Sequence, residues 1–271
     1  MKILIVSNEK QWEVKQIKKE AVKRNHKAVM VSPKNLSSKF LNKKVDAVIV
    51  RAIRGNGELV RKKLQKLHSS SVKLLDESLL KEKPRNKYSN FLLFKKNKLF
   101  QPKTFLFSKK RINFFEKQFN EFAVIKNVSG KRGEEVFKVN VNDLRKFSKT
   151  LSKRKKYLIQ EFVPIKKELR VLVLGKKVLG VYEKKSFNWK KNIALGAEAK
   201  KFTLTNELKK LSLRAALIVR RDFLGLDLAL TTSGYFILEA NRSPQFKGFQ
   251  KLYPKINVAK ELILFLEKLK V

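Results

Sequence analysis

The chain has 271 residues, 43% of them hydrophobic and 20 of them Phe, and carries 65 Lys and Arg against 23 Asp and Glu, a formal charge of +42. That length allows one large domain or two to three small ones with real cores, and the apolar content excludes a disordered basic tail. The absence of Cys excludes disulfides, thiolate metal sites and a cysteine nucleophile.

The opening MKILIVS has too short an apolar core for a signal peptide and reads as a first strand. No apolar run approaches the ~20 residues of a membrane span, so a cytoplasmic protein without membrane association is expected. The positive field attracts polyanions: nucleic acid, nucleotides, an acidic protein or peptide, or anionic lipid. A genome-wide bias toward Lys, Asn, Phe and Ile accounts for the charge equally well. The lysines are scattered along the chain, which suits a solvated basic surface better than a dedicated nucleic-acid motif.

In chain order, residues 2–7 are a buried strand, 9–25 a polar helix, 27–32 and 44–51 two more strands, 57–68 a helix and 72–77 a further strand. Strands alternating with helices predict a small parallel α/β unit over 1–83. From residue 84 the pattern gives a helix, a turn and a strand. Two strands around a glycine-bearing turn follow at 122–139, then a helix at 141–152. YLIQEFVP at 157–164 is a strand closed by proline, and ELRVLVLGKKVLGVYEKK at 168–185 is a hairpin with GKK at its tip. A helix at 206–221 precedes a last hairpin, and a helix at 257–270 ends the chain. Three pieces, 1–83, 84–156 and 157–271, fit these breaks.

The last hairpin, LGLDLAL and YFILEAN around TTSG, carries the clearest chemistry. Pairing around that turn sets Asp227 almost opposite Glu239. Asn241, two residues on, leaves the same face of its strand. Two carboxylates on an apolar hairpin are costly unless a cation or partners neutralise them. Oxygen donors without His or Cys suit magnesium, which usually bridges to substrate phosphates. A pair of surface acids meeting nearby lysines is the alternative.

Other motifs are ambiguous singly. Lys126 ends an apolar strand, and Gly130 and Gly133 then permit a turn whose N–H groups could cradle phosphate, though SGKRG alone is more often an ordinary hairpin turn. No Walker A loop is present, and Gly55 and Gly57 are only a fragment of a dinucleotide fingerprint. His26 and His68 sit in polar surroundings and are expected at the surface without partners. No Ser-His-Asp or Cys-His arrangement is available.

The order of the motifs is more telling than any one of them. A basic helix with Lys87 is followed by Lys126 and its glycine turn, by QEFV, and by ELRVLVLGKKVLGVYEK. NWKKNIALGA, LGLDLAL and ILEANRSPQF complete the series. This series resembles the ATP-grasp superfamily over nearly the whole chain, specifically its RimK-type and LysX-type carboxylate–amine ligases. The D-x-(~11)-E-x-N-x-S-P element is its most specific part.

The resemblance implies an α/β (α+β) ATP-grasp fold: a parallel α/β pre-ATP-grasp domain at 1–83, a central subdomain at 84–156, and a C-terminal subdomain at 157–271 with the metal site. ATP would lie between the second and third pieces. By resemblance, Lys87 and Lys126 match phosphate-contacting lysines, with Gly130 and Gly133 beside them. Gln160, Glu161, Phe162 and Val163 match the adenine hinge, and Glu168 the ribose-binding acid. Asp227, Glu239 and Asn241 match the magnesium ligands, with manganese as a possible substitute. Arg170, Lys184, Lys190 and Asn192 match positions near the triphosphate and the acyl-phosphate. Arg51 at a strand end, Arg242 and Ser243 are candidate substrate contacts.

In this family ATP phosphorylates a carboxylate, and an amine displaces the phosphate to form an amide. The implied partners are ATP, an amino acid such as glutamate, and an acidic acceptor; homo-oligomers are common among RimK-like enzymes. The family's R-S-N segment reads KKN here, and the Gly expected after Ser-Pro is Gln245. The chain's alternative reading is a retired ATP-grasp scaffold that binds nucleic acid or ribosomes through its charge.

Overall fold

The computed structural model describes residues 1–8, 11–37, 45–53, 55–67, 72–130, 135–185 and 198–269, apart from the side chains of Leu67 and Glu198. The N-terminal unit is a four-stranded parallel sheet of β1 (Lys2–Val6), β2 (Lys27–Val31), β3 (Ala47–Val50) and β4 (Lys73–Leu74), in the order β2-β1-β3-β4. Helix α1 (Trp12–Lys23) makes the crossover from β1 to β2 and α2 (Gly57–Leu67) that from β3 to β4. The strand expected over 72–77 shrinks to two residues, because Asp76 takes a left-handed backbone (φ 64°) and turns the chain into α3 (Ser78–Lys81).

Next comes α4 (Lys87–Lys96), begun by a capping box in which Asn86 and Ser89 satisfy each other's backbone N–H. The central sheet is antiparallel, in the order β5-β8-β6-β7, from β5 (Thr104–Leu106), β6 (Phe122–Asn127), β7 (Val136–Asn140) and β8 (Tyr157–Glu161). Helices α5 (Ile112–Gln118) and α6 (Leu144–Ser148) cover it, with Phe115, Phe119, Ile125, Leu144 and Ile159 in its core. Helix α5 is only 7 residues long and has no period long enough to be read from sequence.

The C-terminal sheet has five strands: β9 (Lys167–Leu174), β10 (Lys177–Lys185), β11 (Glu198–Lys201), β12 (Phe223–Thr231) and β13 (Gly234–Asn241), in the order β11-β10-β9-β12-β13. Helix α7 (Asn206–Val219) packs on one face, with Leu169, Val171 and Val173 of β9 beneath it. Phe94 and Leu99, from α4 and just after it, share that core. Helices α8 (Lys247–Leu252) and α9 (Val258–Lys268) follow β13.

The opposite face of this sheet decides where chemistry can occur. In β9 the side chains alternate, so Leu172 and Leu174 lie on the face that also carries Glu168 and Arg170. Leu172 and Leu174 join one core with Ile3, Ile5 and Ile49 of the N-terminal sheet and with Phe246, Phe249 and Leu262. That face therefore begins as the seam between the first and last units. Toward the start of β9 it becomes polar. Among the described residues no helix is long and apolar enough to cross a membrane.

Candidate active site

The polar end of the sheet is built by strand register. Tyr182, Arg170, Asp227 and Glu239 are successive Cα partners across β10, β9, β12 and β13. Partners across a ladder project to the same side, so the four side chains form one row. To one side of the row Lys184 is opposite Glu168, and to the other side Asn241 is opposite Gly225.

Contacts within the row are short. Arg170 grips both oxygens of Asp227, with Nη2 donating to Oδ2 at 2.7 Å and Nε to Oδ1. Lys184 Nζ lies between two acids, 2.6 Å from Glu168 Oε1 and 2.7 Å from Asp227 Oδ1. Asn241 Nδ2 donates to Asp227 Oδ2 at 3.3 Å. Glu239 is more open, and Lys87 Nζ stands 3.5 Å from its Oε1.

Asp227 is only 5% exposed. Burial pushes its carboxyl up, but the Arg170 guanidinium and the Lys184 ammonium outweigh that and hold it at about 2. Arg170 responds in the opposite sense: burial works against its charge, yet Asp227 raises its proton affinity. Glu168 is pushed up by burial, against the pull of Lys184.

The central sheet supplies the facing wall. Lys126 Nζ donates to Gln160 Oε1 at 2.6 Å, and Gln160 Nε2 donates to Thr104 Oγ1 at 2.7 Å. Burial lowers the proton affinity of Lys126, while the field of Glu239 opposes it. Lys87 Nζ also donates to the carbonyl of Gly130. Ser129 N donates to Asn127 Oδ1 at 2.8 Å, and Glu135 (φ 52°) accepts Asn127 and Lys155, which fixes both ends of the turn after Lys126.

Glu161, at the end of β8, donates its backbone N–H to Lys103 O at 2.8 Å. Phe162 meets Phe122 edge-on, and Lys138 Nζ lies 4.1 Å from the Phe162 ring centre. Val163 is half-buried in the connection from β8 to β9.

Three acids and four cations thus meet from two sheets and the start of α4: Glu168, Asp227 and Glu239 with Lys87, Lys126, Arg170 and Lys184. Among the described residues there is no group of three or more His, Cys, Asp and Glu suited to a metal ion. A cation bound here would have two carboxylates and one amide from the protein, and other oxygens must complete its shell. The excess of cations suits a polyphosphate that brings those oxygens.

Two residues are held more closely than the sequence indicates. Arg51, a candidate substrate contact at a strand end, is 1% exposed, donates from Nη2 to Pro244 O at 2.8 Å, and packs 5.2 Å from the Phe223 ring centre. His26 is not partnerless, for its Nε2 lies 2.7 Å from Glu267 Oε1 and its Nδ1 3.1 Å from the terminal amine of Met1. Arg242 is half-buried, and a Cβ on Gly57 would come within 3.1 Å of its Nη2. Ser243 Oγ accepts Ala52 N at 3.3 Å. Gly133, Lys190, Asn192 and His68 lie outside the described residues.

Tyr182 was not singled out from sequence. Its place two residues before Lys184 in a two-residue period was the available signal. Burial pushes its hydroxyl up to about 12.

The RimK-like ATP-grasp domain model matches residues 84–266. The coenzyme gamma-F420-2:alpha-L-glutamate ligase of Methanocaldococcus jannaschii is 34% identical over 176 residues, which span 62% of this chain and 61% of that protein. The alpha-aminoadipate–LysW ligase LysX of Sulfurisphaera tokodaii is 30% identical over 95% of both chains. Among solved structures, the ATP-grasp ligase PsnB complexed with a minimal precursor superposes with a TM-score of 0.76 over 98% of both chains, at 16% identity. The chain belongs to the RimK-like ATP-grasp family and is an ATP-dependent ligase that forms C–N bonds.

Proposed function

We propose that this ligase adds an amino acid, glutamate or a close relative, to the carboxylate of an acidic peptide, protein or small molecule. The observation that carries the site is the in-register row Arg170–Asp227–Glu239 with Lys184 and Asn241 beside it. The +42 charge supports an acidic acceptor, because it raises the encounter rate with anions. The names of relatives agree with an amino-acid substrate: two are glutamate ligases acting on coenzyme F420 and tetrahydromethanopterin, and others join alpha-aminoadipate or glutamate to LysW.

Asp227, Glu239 and Asn241 would hold magnesium, and manganese would fit the same oxygens. The ion would supply charge neutralisation between the phosphates of ATP as the γ-phosphoryl leaves. Lys87, from the start of α4, and Lys126, from the central wall, would hold phosphate oxygens, with Gly130 and Gly133 as further phosphate contacts. Residues 160–163 would receive the adenine through their backbone, and Glu168 the ribose. Arg170 and Lys184 neutralise Asp227 and stay within reach of an anion beside it. Lys190 and Asn192 would act with Arg170 near the triphosphate and the acyl-phosphate, and Arg242 and Ser243 would contact substrate. Phosphoryl transfer asks for positioned charge more than for covalent help, and this constellation offers positioned charge.

The test is release of ADP from ATP and magnesium across the amino acids and a panel of acidic peptides, with Asp227→Ala/Glu239→Ala as control. Turnover confined to one amino acid and one acceptor, with a silent control, supports the proposal. Tight binding of RNA at moderate salt with no ATP binding would instead assign the protein to nucleic-acid binding.

A further inference from the structure

Strand β13 ends at Asn241, and the chain turns at once through Arg242, Ser243 and Pro244 to Phe246. Three groups of the N-terminal unit hold this turn. Arg51 Nη2 donates to the carbonyl of Pro244 at 2.8 Å. The N–H of Ala52 donates to Ser243 Oγ at 3.3 Å. Glu13 Oε1 accepts the N–H groups of Phe246 and Lys247 at 3.1 and 3.3 Å. On its other side the turn meets β12 at Gly225, where a Cβ would approach Pro244 Cβ to 2.5 Å. Gly225 is the Cα partner of Asn241 and lies two residues before Asp227.

Arg51 is an unusual residue for this place. Its guanidinium sits between Phe223 and Phe246, 5.2 and 5.7 Å from their ring centres, and its Nε and Nη1 have no hydrogen-bond partner among the described residues. An apolar side chain would fill the same volume without unpartnered donors. What an apolar side chain cannot do is reach and hold the Pro244 carbonyl.

We propose that Arg51 is a positioning residue for the metal–nucleotide site: by fixing Pro244 it sets the Arg242–Pro244 turn, and through it the places of Asn241 and Glu239. The inference rests on the reading of Asp227, Glu239 and Asn241 as the magnesium ligands. Arg51 touches neither metal nor nucleotide. Its effect passes through the turn, so it falls on the metal-dependent part of binding and leaves contacts from the central sheet unchanged.

The experiment is calorimetric titration of ADP into the full chain, with and without magnesium, for wild type, Arg51→Met, Arg51→Lys and Asp227→Ala. The probe needs no knowledge of the acceptor. In wild type, magnesium tightens ADP binding, and Asp227→Ala abolishes that gain. Arg51→Met is expected to bind ADP without magnesium as wild type does, and to lose about tenfold or more of the magnesium-dependent gain, the range typical of groups that orient metal ligands. Arg51→Lys, which keeps the charge, is expected to recover part of it. A role confined to stability would lower the melting temperature and leave the gain of the folded protein intact, and that result overturns the proposal. If Arg51→Met does not fold, Arg51→Lys decides: a full gain overturns the proposal, and a reduced gain with unchanged metal-free binding supports it. A gain that survives in Asp227→Ala overturns the metal reading itself, and this inference with it.

Discussion

Asp227 faces Glu239 because the β12–β13 ladder shifts by one residue beside Asp227. Up to Leu228, paired with Ile237, the register is that of a plain hairpin; its continuation would put Leu238 opposite Asp227. The bulge absorbs Leu238 and brings the second carboxylate into line. The two acids nevertheless have unequal surroundings. The Asp227 side chain is 7% exposed and held by Arg170 and Lys184, while the Glu239 side chain is 38% exposed and has Lys87 at 3.5 Å.

That inequality separates stability from catalysis. Asp227→Asn and Glu239→Gln are both expected to lower turnover at least about a hundredfold, as removal of a group that stabilises developing charge does. Only Asp227→Asn should also weaken the fold, by about 3 kcal/mol, because it leaves two buried cations without their shared anion. Denaturant midpoints of the two variants, compared with wild type, check this. Equal losses of stability would refute it.

A second buried acid predicts a pH dependence. Asp76 and Asp222 clasp each other's backbone: Asp76 N donates to Asp222 Oδ2 at 2.6 Å, and Asp222 N donates to Asp76 Oδ1 at 2.5 Å. Burial raises Asp76 to about 6, with Arg221 opposing and Asp222 reinforcing the rise. The folded state therefore keeps a proton that the unfolded chain releases near pH 4. The stability this contributes is complete below pH 4 and is lost as pH rises through 6, by up to about 3 kcal/mol. Asn at this position keeps an acceptor, tolerates the left-handed backbone and does not titrate. The difference in melting temperature between Asp76→Asn and wild type should thus grow in favour of the variant between pH 4 and 7. Parallel profiles would show that Asp76 does not titrate in this range.

How much could be read in advance follows from what each residue depends on. The hairpin at 223–241, its facing acids and the adjacent Arg170 and Lys184 strands depend on a two-residue period and a turn, both local. The order of the remaining motifs carried the family resemblance, and the resemblance supplied their roles. Arg51 was legible as a strand end but not as a buried residue. Its environment is made by Phe223, Phe246 and Pro244, about 170 to 195 positions away in the chain. The partners of His26 were hidden for the same reason, since Glu267 sits on the last helix. Short elements such as α5 and α8 have too few turns for a helical period to show.

Ser212 tests the packing of α7 independently of the site. It is fully buried, and its hydroxyl has no hydrogen-bond partner among the described residues. Removing an unpartnered buried hydroxyl ends its desolvation cost, and Ala is the better helix former. Ser212→Ala is expected to raise unfolding stability by about 1 kcal/mol in urea, with ADP affinity unchanged. A destabilised variant would mean that the hydroxyl has a partner, such as a buried water.

Gly225 joins packing to function. It is the Cα partner of Asn241, and its missing side chain lets Pro244 rest on β12 two residues from Asp227. The ring of Pro244 cannot swing aside as a long side chain could. Its carbonyl is also tied to Arg51 from the opposite side. Gly225→Ala must therefore push the Ser243–Pro244 turn outward or bend β12. Overpacking of this kind costs about 1–3 kcal/mol. The displacement should reach Asn241 before it reaches Lys126 or the strand end at Glu161, which stand on the central sheet. Gly225→Ala is accordingly expected to fold with a lower melting temperature, to bind ADP without magnesium as wild type does, and to lose most of the tightening that magnesium provides. Titration of ADP with and without magnesium reads both quantities. A variant that loses metal-free ADP binding to the same degree would show that the strain spreads through the whole cleft rather than along the turn.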